Sequence, residues 1–225
     1  MGSSNMHKEV PSIRHHVIGW DCRPKELDAL PKKEAREWLR REQIVAAAFQ
    51  VFSEKGVHQT KVEEIALIAG IGKGTIYEYF GSKLEIFFSM MLWIFERYYS
   101  KLEENIPNDE SAWRQIEKIT DSLFEMHDDF KKLHVMLMSE FKHIPDDMTP
   151  ILFQQRAKKL ELIQTVIKKG QSAKEFDGTV DSSLAAEMVL CSFEGIIGYR
   201  SLMNTELEID NTKLQILAMI RKMLH

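Results

Sequence analysis

The sequence between residues 60 and 83, TKVEEIALIAGIGKGTIYEYFGSK, constrains the fold more than any other part of the chain. Thr60 and Glu63 have the spacing of a capping box, in which a hydroxyl and a carboxylate satisfy the free backbone N–H groups of a helix start. Gly70 is suited to the left-handed conformation that commonly ends a helix. The pattern therefore predicts a first short helix that begins near Thr60 and ends near Gly70.

A second short helix is predicted from residue 73 to residue 80, with Ile76 and Phe80 four positions apart and so on one inner face. Ala66 lies four residues before Gly70, and Ile76 lies six residues after it. A small residue, a turn glycine and an apolar residue at these spacings are typical of a helix-turn-helix, whose two helices approach closely and whose second helix enters the major groove of DNA.

This run is similar to the DNA-binding signature of the tetracycline-repressor (TetR) family. The residues that carry the resemblance are Thr60, Ile65, Ala66, Ala69, Gly70, residues 73–80, Lys83 and Glu85. The similarity extends back through an apolar helix at residues 44–56 and covers about residues 38–90. It implies an all-α protein of about nine helices, with an N-terminal three-helix DNA-binding domain and a C-terminal helical domain for ligand binding and dimerisation.

The resemblance also implies which side chains meet DNA. Phosphate contacts are expected from Thr60, Tyr77, Tyr79 and Lys83. The residues expected to face the groove are Lys73, Gly74, Thr75 and Glu78, of which Lys73 is the best candidate for a guanine contact.

The charge of the chain is unevenly distributed. The whole chain has a formal net charge of −4, which by itself disfavours a nucleic-acid partner. Residues 31–83, however, carry 9 Lys and Arg against 7 Asp and Glu, whereas residues 84–225 carry 17 against 23. The weakly basic part coincides with the motif, so we expect a dimer that doubles the phosphate contacts.

Three domains or segments are predicted: an irregular extension at 1–31, a helix-turn-helix domain at 32–83, and a ligand-binding and dimerisation domain at 84–225. The basic residues of the extension either reach an adjacent minor groove or belong to a leader without a role in binding. No strand-like alternation is present. Helices are expected at residues 33–55, 82–104, 110–127, 129–143, 150–169, 181–203 and 209–224, in addition to the two of the motif. Gly56 and Gly170 are expected to stop the helices before them, Ser82 with Glu85 to form a capping box, and Asp181 or Ser182 to cap the next helix.

Residues 84–153 are rich in methionine and aromatic side chains, which suit either an adaptable cavity or an ordinary core. The resemblance implies an effector cavity in this region. The expected lining residues are Trp113, Phe124, His127, His134, Met138 and Phe141, with His127, His134 and Glu140 orienting a polar head group. The resemblance further implies that the last two helices pair with their copies, through Met188, Phe193, Ile196, Leu217 and Ile220.

Other classes of function find little support in the sequence. It lacks a glycine-rich phosphate loop, a nucleophile elbow and an informative Cys/His spacing, so we expect no enzyme. The spacing of His127, His134 and His143 with Glu140 does not favour a metal site, and no cofactor is expected. Two isolated cysteines, Cys22 and Cys191, and the absence of an apolar leader or span predict a cytoplasmic protein.

The sequence thus predicts a homodimeric transcriptional regulator that binds a palindromic operator and is released from it by a small apolar or amphipathic effector, as a repressor would be. Two alternatives remain at this point: a helical adaptor that binds another protein, and a DNA binder that responds to no effector.

Overall fold

The computed structural model describes residues 30–107, 109–140, 149–203, 205 and 208–225; the side chains of residues 127–130, 137, 139, 151, 152, 201 and 202 are outside this description. Within these residues the regular structure consists of nine α-helices, which confirms the all-α prediction. They are α1 (Lys32–Gln59), α2 (Val62–Ile68), α3 (Lys73–Tyr79), α4 (Lys83–Glu104), α5 (Ala112–Glu125), α6 (His127–Glu140), α7 (Thr149–Ser172), α8 (Ser182–Met203) and α9 (Ile209–Leu224). Of the extension predicted at 1–31, residues 1–29 lie outside the described part.

Helix α1 provides the base on which the short helices pack. Its buried stripe includes Ile44, Val45, Ala48 and Phe52, at the spacings of one helix face. Gly56 has φ +75° and interrupts the helical conformation, after which one more turn continues to Gln59. The glycine predicted to stop the helix therefore bends it instead, because a residue without a Cβ adopts positive φ without strain.

The start of α2 differs from the prediction by one residue. The N–H of Lys61 donates to Glu64 Oε2 at 3.0 Å, so the carboxylate that reaches back belongs to Glu64 and not to Glu63. The Thr60 hydroxyl donates to the Gly56 carbonyl at 2.8 Å, so it closes the end of α1 instead of capping α2. The residue at the start of α2 is Lys61, so Thr60 lies one position before the place where a capping side chain would act.

Helix α4 runs from the first domain into the second. Ser82 caps it by accepting from the Glu85 N–H at 3.0 Å, as predicted, and the Glu85 carboxylate accepts from the Gly81 N–H at 2.7 Å. Its first three turns are buried on nearly every side. On the first domain's side the indole of Trp93 donates to Glu42 Oε1 of α1 at 3.3 Å. Helix α4 contributes buried residues to the apolar cores of both domains and is a continuous connection between them.

The second domain packs α5, α7, α8 and α9 around the later turns of α4. Helix α7 extends to Ser172, beyond the predicted stop at Gly170. A Cβ on Gly170 would lie 2.3 Å from the ring of Phe176 and 2.9 Å from the Cβ of Ala112. This glycine therefore permits a close approach of neighbouring segments and does not end the helix. The start of α8 agrees with the prediction, since Asp181 accepts from the N–H groups of Ser183 and Leu184, both at 2.8 Å.

Helix α6 contacts both domains. Leu133 and Met136 are buried in the same apolar cluster as α1 to α4. At its end, Glu140 Oε1 lies 3.0 Å from Nε2 of His58 at the end of α1, and the Glu140 side chain is 3% exposed. The two domains are thus joined by α4 and, separately, by the contact between α1 and α6.

Candidate nucleic-acid interface

The second helix of the motif, α3, has one buried face and one exposed face. Ile76 and Phe80 have exposures of 0% and 1% and are part of the first domain's core, as predicted. The opposite face presents Lys73, Gly74 and Glu78, and the Tyr77 ring is 47% exposed. A helix that is anchored by its apolar face and exposed on its polar face has the geometry needed to enter a groove of DNA.

The turn between α2 and α3 is fixed by backbone contacts. Gly70 has φ +65°, which confirms the left-handed conformation predicted for it. The N–H of Ile71 then donates to the Ala66 carbonyl at 3.0 Å, and Gln43 Nε2 of α1 donates to the Ala69 carbonyl at 2.5 Å. These contacts hold the two helices at one angle, so α3 is presented in a single orientation.

Lys73, at the first position of α3, is paired within the chain. Its Nζ lies 2.7 Å from Glu63 Oε1 on α2 and 5.8 Å from the centre of the Tyr77 ring. The hydrogen bond to Glu63 raises the pKa of Lys73 and lowers the pKa of Glu63. The ammonium group is therefore held between the two helices, on the side that α3 exposes.

Three of the predicted phosphate-binding residues serve the fold of the first domain. Thr60 is 2% exposed, so its hydroxyl does not reach the surface, which corrects the contact expected for it. Lys83 Nζ donates to the carbonyls of His58 and Thr60, at 3.1 and 2.9 Å, and so neutralises the C-terminal end of α1. Tyr79 is half-buried, with the guanidinium of Arg41 lying 5.7 Å from its ring centre.

Arg41 is a cation that the sequence interpretation did not single out. It lies 5.3 Å from the centre of the Phe80 ring as well as close to Tyr79. Burial lowers the pKa of Arg41, and the nearby carboxylate of Glu85 opposes this effect. In the sequence, Arg41 stands out only as one of three arginines in the run RxxxRR at residues 36–41.

Gly74 lies on the exposed face of α3 with open space around it. No heavy atom would lie within 4 Å of a Cβ added there. Its backbone φ is not positive, so the fold itself does not require glycine at this position. Glycine matters instead for a partner surface that approaches this point closely, because a backbone without a Cβ permits a contact that a methyl group would block.

Among the described residues, the side chains predicted to line an effector cavity have different surroundings. Trp113 donates its indole N–H to Glu117 at 3.0 Å, and Arg221 stacks over its ring at 5.1 Å near the C-terminal end of the chain. Phe124 is 3% exposed and packs against Phe193 at 5.5 Å between ring centres. These two residues therefore belong to the core and to a helix end, which corrects their assignment.

Helix α6 carries the remaining described candidates. His134 packs on α8, where a Cβ on Gly198 would lie 3.0 Å from the imidazole ring. Burial lowers the pKa of His134, while the charge of Glu194 opposes this shift. Met138 is 41% exposed. The side chain of His127 and the whole of Phe141 lie outside the described residues, as does His143, and Glu140 contacts His58 of the first domain.

An open groove of about 360 Å³ lies between α7 and α8. Its lining residues are Ala157, Leu160, Glu161, Gln164, Ser183, Ala186 and Glu187. The six residues predicted for the effector site are not among them. Small side chains at Ala157, Ser183 and Ala186 create the space of this groove. The effector site was predicted from large apolar residues, and these do not mark a groove that small residues form.

An exposed, mainly apolar face extends along α8. Leu184, Met188, Cys191, Gly195 and Tyr199 are all exposed and follow one another at spacings of three or four residues. They therefore lie on one side of the helix. On α9, Leu214 and Met219 are 64% and 63% exposed. We refer to these seven residues as the α8–α9 face.

Only part of the predicted dimer interface belongs to this face. Met188 is 54% exposed and lies on it, while Ile196 and Leu217 are partly buried. Phe193 and Ile220, at 2% and 5% exposed, point into the core of their own chain. The assignment of these two residues was wrong because apolar character alone does not distinguish the two sides of a helix that is apolar on both.

Together, the three-helix domain, the exposed α3 and the linked helical second domain define a helix-turn-helix transcriptional regulator. Residues 44–90 match the model of the family described as bacterial regulatory proteins, tetR family. These residues therefore carry the DNA-binding region that is characteristic of the TetR family. Among the described residues, no helix has the length and apolar character required to cross a membrane.

Relatives with known names agree with this class. The chain is 25% identical over 147 residues to the fatty acid metabolism regulator protein of Bacillus subtilis, covering 65% of this chain and 76% of the relative. It is 50% identical over 60 residues to the HTH-type transcriptional repressor BepR of Brucella suis, and 39% identical over 62 residues to the HTH-type transcriptional activator FasR of Mycolicibacterium smegmatis. These two matches cover 27–28% of this chain and 28% and 26% of the relatives. The strongest identity is therefore confined to a segment of about 60 residues.

Solved structures share the fold over most of the chain. The regulator FadR of Bacillus subtilis, in complex with stearoyl-CoA, superposes with a TM-score of 0.68 at 22% identity, covering 82% of this chain and 99% of that one. A TetR transcription regulator of Haloarcula marismortui gives a TM-score of 0.73 at 15% identity, covering 83% and 98%. Because the identities are as low as 22% and 15%, the similarity establishes the shared fold alone.

Proposed function

We propose that this protein is a homodimeric regulator that binds a palindromic operator through α3 and leaves it when an amphipathic effector with a long apolar part binds the second domain. The observation that carries the proposal is the anchored α3, with Ile76 and Phe80 in the core and Lys73, Gly74 and Tyr77 on the exposed face. This arrangement presents donors and a bare backbone to a groove while an apolar face fixes their position.

Within α3 we assign different roles to different residues. Lys73 and Thr75 are proposed to meet base edges, with Gly74 allowing the backbone to lie close and Glu78 facing the same groove. Tyr77 is proposed to contact a phosphate through its hydroxyl. Tyr79 and Lys83, and the backbone around Thr60, position the end of α1 and the start of α4 next to the strand. Thr60 no longer belongs to the contacting side chains, because it is buried.

The α8–α9 face supports the homodimer. Its five α8 residues form a long and mainly apolar stripe on one side of that helix, and monomeric proteins seldom leave such a stripe in water. Gly195 lies at its middle, and no heavy atom would lie within 4 Å of a Cβ added there, so a second helix can approach closely. A two-fold pairing of this face with its copy would present two α3 helices in the symmetric relation that a palindrome requires.

The assignment of the effector class rests on the structural relative that holds stearoyl-CoA. The second domain of this chain shares that protein's fold and contains many flexible methionine and aromatic side chains, which adapt to apolar ligands. Whether the protein represses or activates transcription follows less directly, because the relatives include both a repressor and an activator. We propose that the effector releases the protein from DNA, as it does for a repressor.

Two physical connections are available for transmitting effector binding. The first is α4, which is held by Glu42 through Trp93 on one side and by Gln155 and Lys158 of α7 through Glu96 on the other, at 2.7 and 2.6 Å. The second is the contact of Glu140 with His58. An effector changes operator affinity only if it favours one of two arrangements of these contacts.

Selection from a randomised duplex pool tests the proposal. The purified protein is incubated with the pool at near-physiological salt, and bound duplexes are sequenced. We expect enrichment of a palindrome with half-sites about one helical turn apart, or a multiple of it. Addition of stearoyl-CoA is then expected to weaken binding to the selected duplex. A pool that shows no enrichment would contradict operator binding and favour the protein-binding adaptor.

A further inference from the structure

The DNA-facing surface of this protein contains carboxylates as well as cations. Glu63 on α2 and Glu78 on α3 are exposed beside Lys61 and Lys73. Since DNA has a phosphate charge at about every 1.7 Å of its axis, a carboxylate at this surface opposes binding. Glu63 is the more informative of the two, because it is paired with the cation that is expected to read a base.

The pair has a defined geometry. Lys73 Nζ lies 2.7 Å from Glu63 Oε1, and the two side chains are 50% and 56% exposed, so both are accessible to an approaching duplex. The Tyr77 ring contributes a second contact, with its centre 5.8 Å from the ammonium nitrogen. Lys73 is therefore held toward α2 instead of extending freely into solvent.

A lysine ammonium has three N–H donors and no acceptor. One donor satisfies Glu63, and two remain for the N7 and O6 acceptors of a guanine. A base contact therefore leaves the pair intact. A phosphate contact differs, because it either breaks the pair or brings the Glu63 carboxylate close to a second negative charge. The pair thus favours the base contact over the phosphate contact.

We propose that Glu63 is a specificity-determining residue, which holds Lys73 for base recognition and disfavours its use in non-specific phosphate binding. The inference rests on the operator binding proposed above and adds a residue that the DNA-contacting set does not contain. It is an instance of selectivity obtained by weakening the wrong complex more than the right one. Affinity for the operator changes little, while affinity for unrelated DNA is suppressed.

The simplest contrary view is that a half-exposed ion pair has no measurable effect, as many surface pairs have none. A matched variant separates the two views. Glu64 is the next residue of α2, carries the same charge, and pairs with Lys55 and with the Lys61 N–H instead of with Lys73. Glu63→Gln and Glu64→Gln therefore change the net charge of the domain equally.

The experiment measures dissociation constants for the selected operator and for an unrelated duplex of equal length, between about 50 and 200 mM salt. For Glu63→Gln we expect unrelated DNA to bind about fivefold to tenfold more tightly and the operator affinity to change by less than about twofold. The salt dependence of binding to unrelated DNA should become steeper by the amount that about one additional phosphate contact adds. For Glu64→Gln we expect the two duplexes to change by the same factor. In the Lys73→Gln background, Glu63→Gln is expected to lose its selective effect.

Three results would overturn the inference: equal behaviour of the two Gln variants, equal tightening on both duplexes by Glu63→Gln, or a selective effect that persists without Lys73. Thermal unfolding of each variant identifies those that fail to fold. If Glu63→Gln fails to fold, Glu63→Asp, which keeps the charge, replaces it, and retained selectivity is then the expected result. If the wild-type protein does not distinguish any operator from unrelated DNA, the proposed function itself is wrong, and this outcome is recognised before any variant is compared.

Discussion

The two domains of this protein are held together in different ways. In the first domain, the turn that presents α3 is formed by neighbours in the sequence: Gly70, the 3.0 Å bond from Ile71 to Ala66 and the pair of Ile76 and Phe80 all lie within 15 residues. Gln43 of α1 supports this turn from 26 residues away. In the second domain, polar contacts join distant segments. The Glu175 carboxylate accepts from the N–H groups of Ala112 and Trp113, 63 and 62 residues away, at 2.8 and 2.9 Å.

The family model matches residues 44–90, which contain this turn and end in the first turns of α4. Local contacts require fixed residue types at fixed spacings, and such a pattern is recognisable in the sequence. The similarity to the two solved structures covers 82–83% of the chain at identities of 15% and 22%, so it reaches the second domain as a similarity of fold. Contacts between distant helices can be replaced by others while the fold remains.

The largest effect is expected from disruption of the α8–α9 face. Met188→Arg places a charge on the proposed dimer interface, and we expect a monomer whose operator affinity is lower by about 100-fold, since one head then binds without the other. Analytical ultracentrifugation and operator titration measure the two quantities. Val135→Arg is the control, because Val135 is 48% exposed on α6, outside this face. A dimer that persists in Met188→Arg would show that the copies pair elsewhere.

Substitutions in α3 are expected to separate base reading from phosphate binding. Tyr77→Ala should weaken binding to the operator and to unrelated duplexes alike, by about tenfold, because a phosphate contact carries no sequence information. Lys73→Ala should cost about 1–3 kcal/mol on the operator and change the preferred base at one position of each half-site. Repeating the pool selection with each variant checks this division, and equal losses on all duplexes for both variants would refute it.

The contact of His58 with Glu140 tests whether the domains communicate through α6. Glu140→Gln keeps the shape and the hydrogen bond but removes the buried charge, whereas His58→Ala removes one partner of that carboxylate. We expect His58→Ala to lower the free energy of unfolding by about 1–3 kcal/mol and Glu140→Gln to change it less.

Hydrogen exchange supplies the functional measurement for the same contact. Operator binding should alter the exchange of α6 amides in the wild type, and His58→Ala should reduce this response. Lys101→Gln, which opens the 3.0 Å pair of Lys101 with Glu125 inside the second domain, is the matched control. An unchanged response in His58→Ala would leave α4 as the connection between the domains.

Gly74→Ala is expected to have opposite effects on folding and on binding. Because the added Cβ meets open space in a helix, the variant should be more stable by about 0.5–1 kcal/mol. Its operator affinity should nevertheless fall severalfold, since the methyl group lies where the backbone approaches DNA. Unchanged operator binding by Gly74→Ala would show that α3 lies farther from the bases.

The smallest effect concerns the pH dependence of stability through His134. Burial lowers the pKa of His134 in the folded state below the ordinary value of 6.5, so the unfolded chain binds the proton more readily. Stability should therefore decrease as the pH falls below about 6.5 and be retained above it. Chemical denaturation between about pH 5 and 8 is expected to show a shallower dependence in His134→Gln than in the wild type. An identical pH dependence would mean that other groups dominate.

Sequence patterns identified the elements of the first domain because each signal is local. The Gly70 turn, the Ser82 cap and the α3 stripe are fixed by residues within about one or two helical turns. The same patterns misplaced the capping box by one residue, since the Thr60 hydroxyl bonds the Gly56 carbonyl at the end of α1, and it is Glu64 that accepts from the Lys61 N–H.

In the second domain the helices could be predicted from the sequence, but which of their side chains point into the core could not. Phe193 and Ile220 are as apolar as Met188, and only the packing of α5 against α8 shows which of them is inside. Trp113 likewise is covered by Arg221 of α9, more than 100 residues away. Partners this distant leave no trace in the local pattern.

Operator binding by a dimer requires two heads that engage two half-sites at once. The most direct measurement compares the affinity of the protein for the selected palindrome with its affinity for the same duplex with one half-site scrambled. We predict a loss of at least about 100-fold, because the second head then meets unrelated DNA. Equal affinity for the two duplexes would contradict the proposal that the α8–α9 face joins two copies to bind DNA through α3.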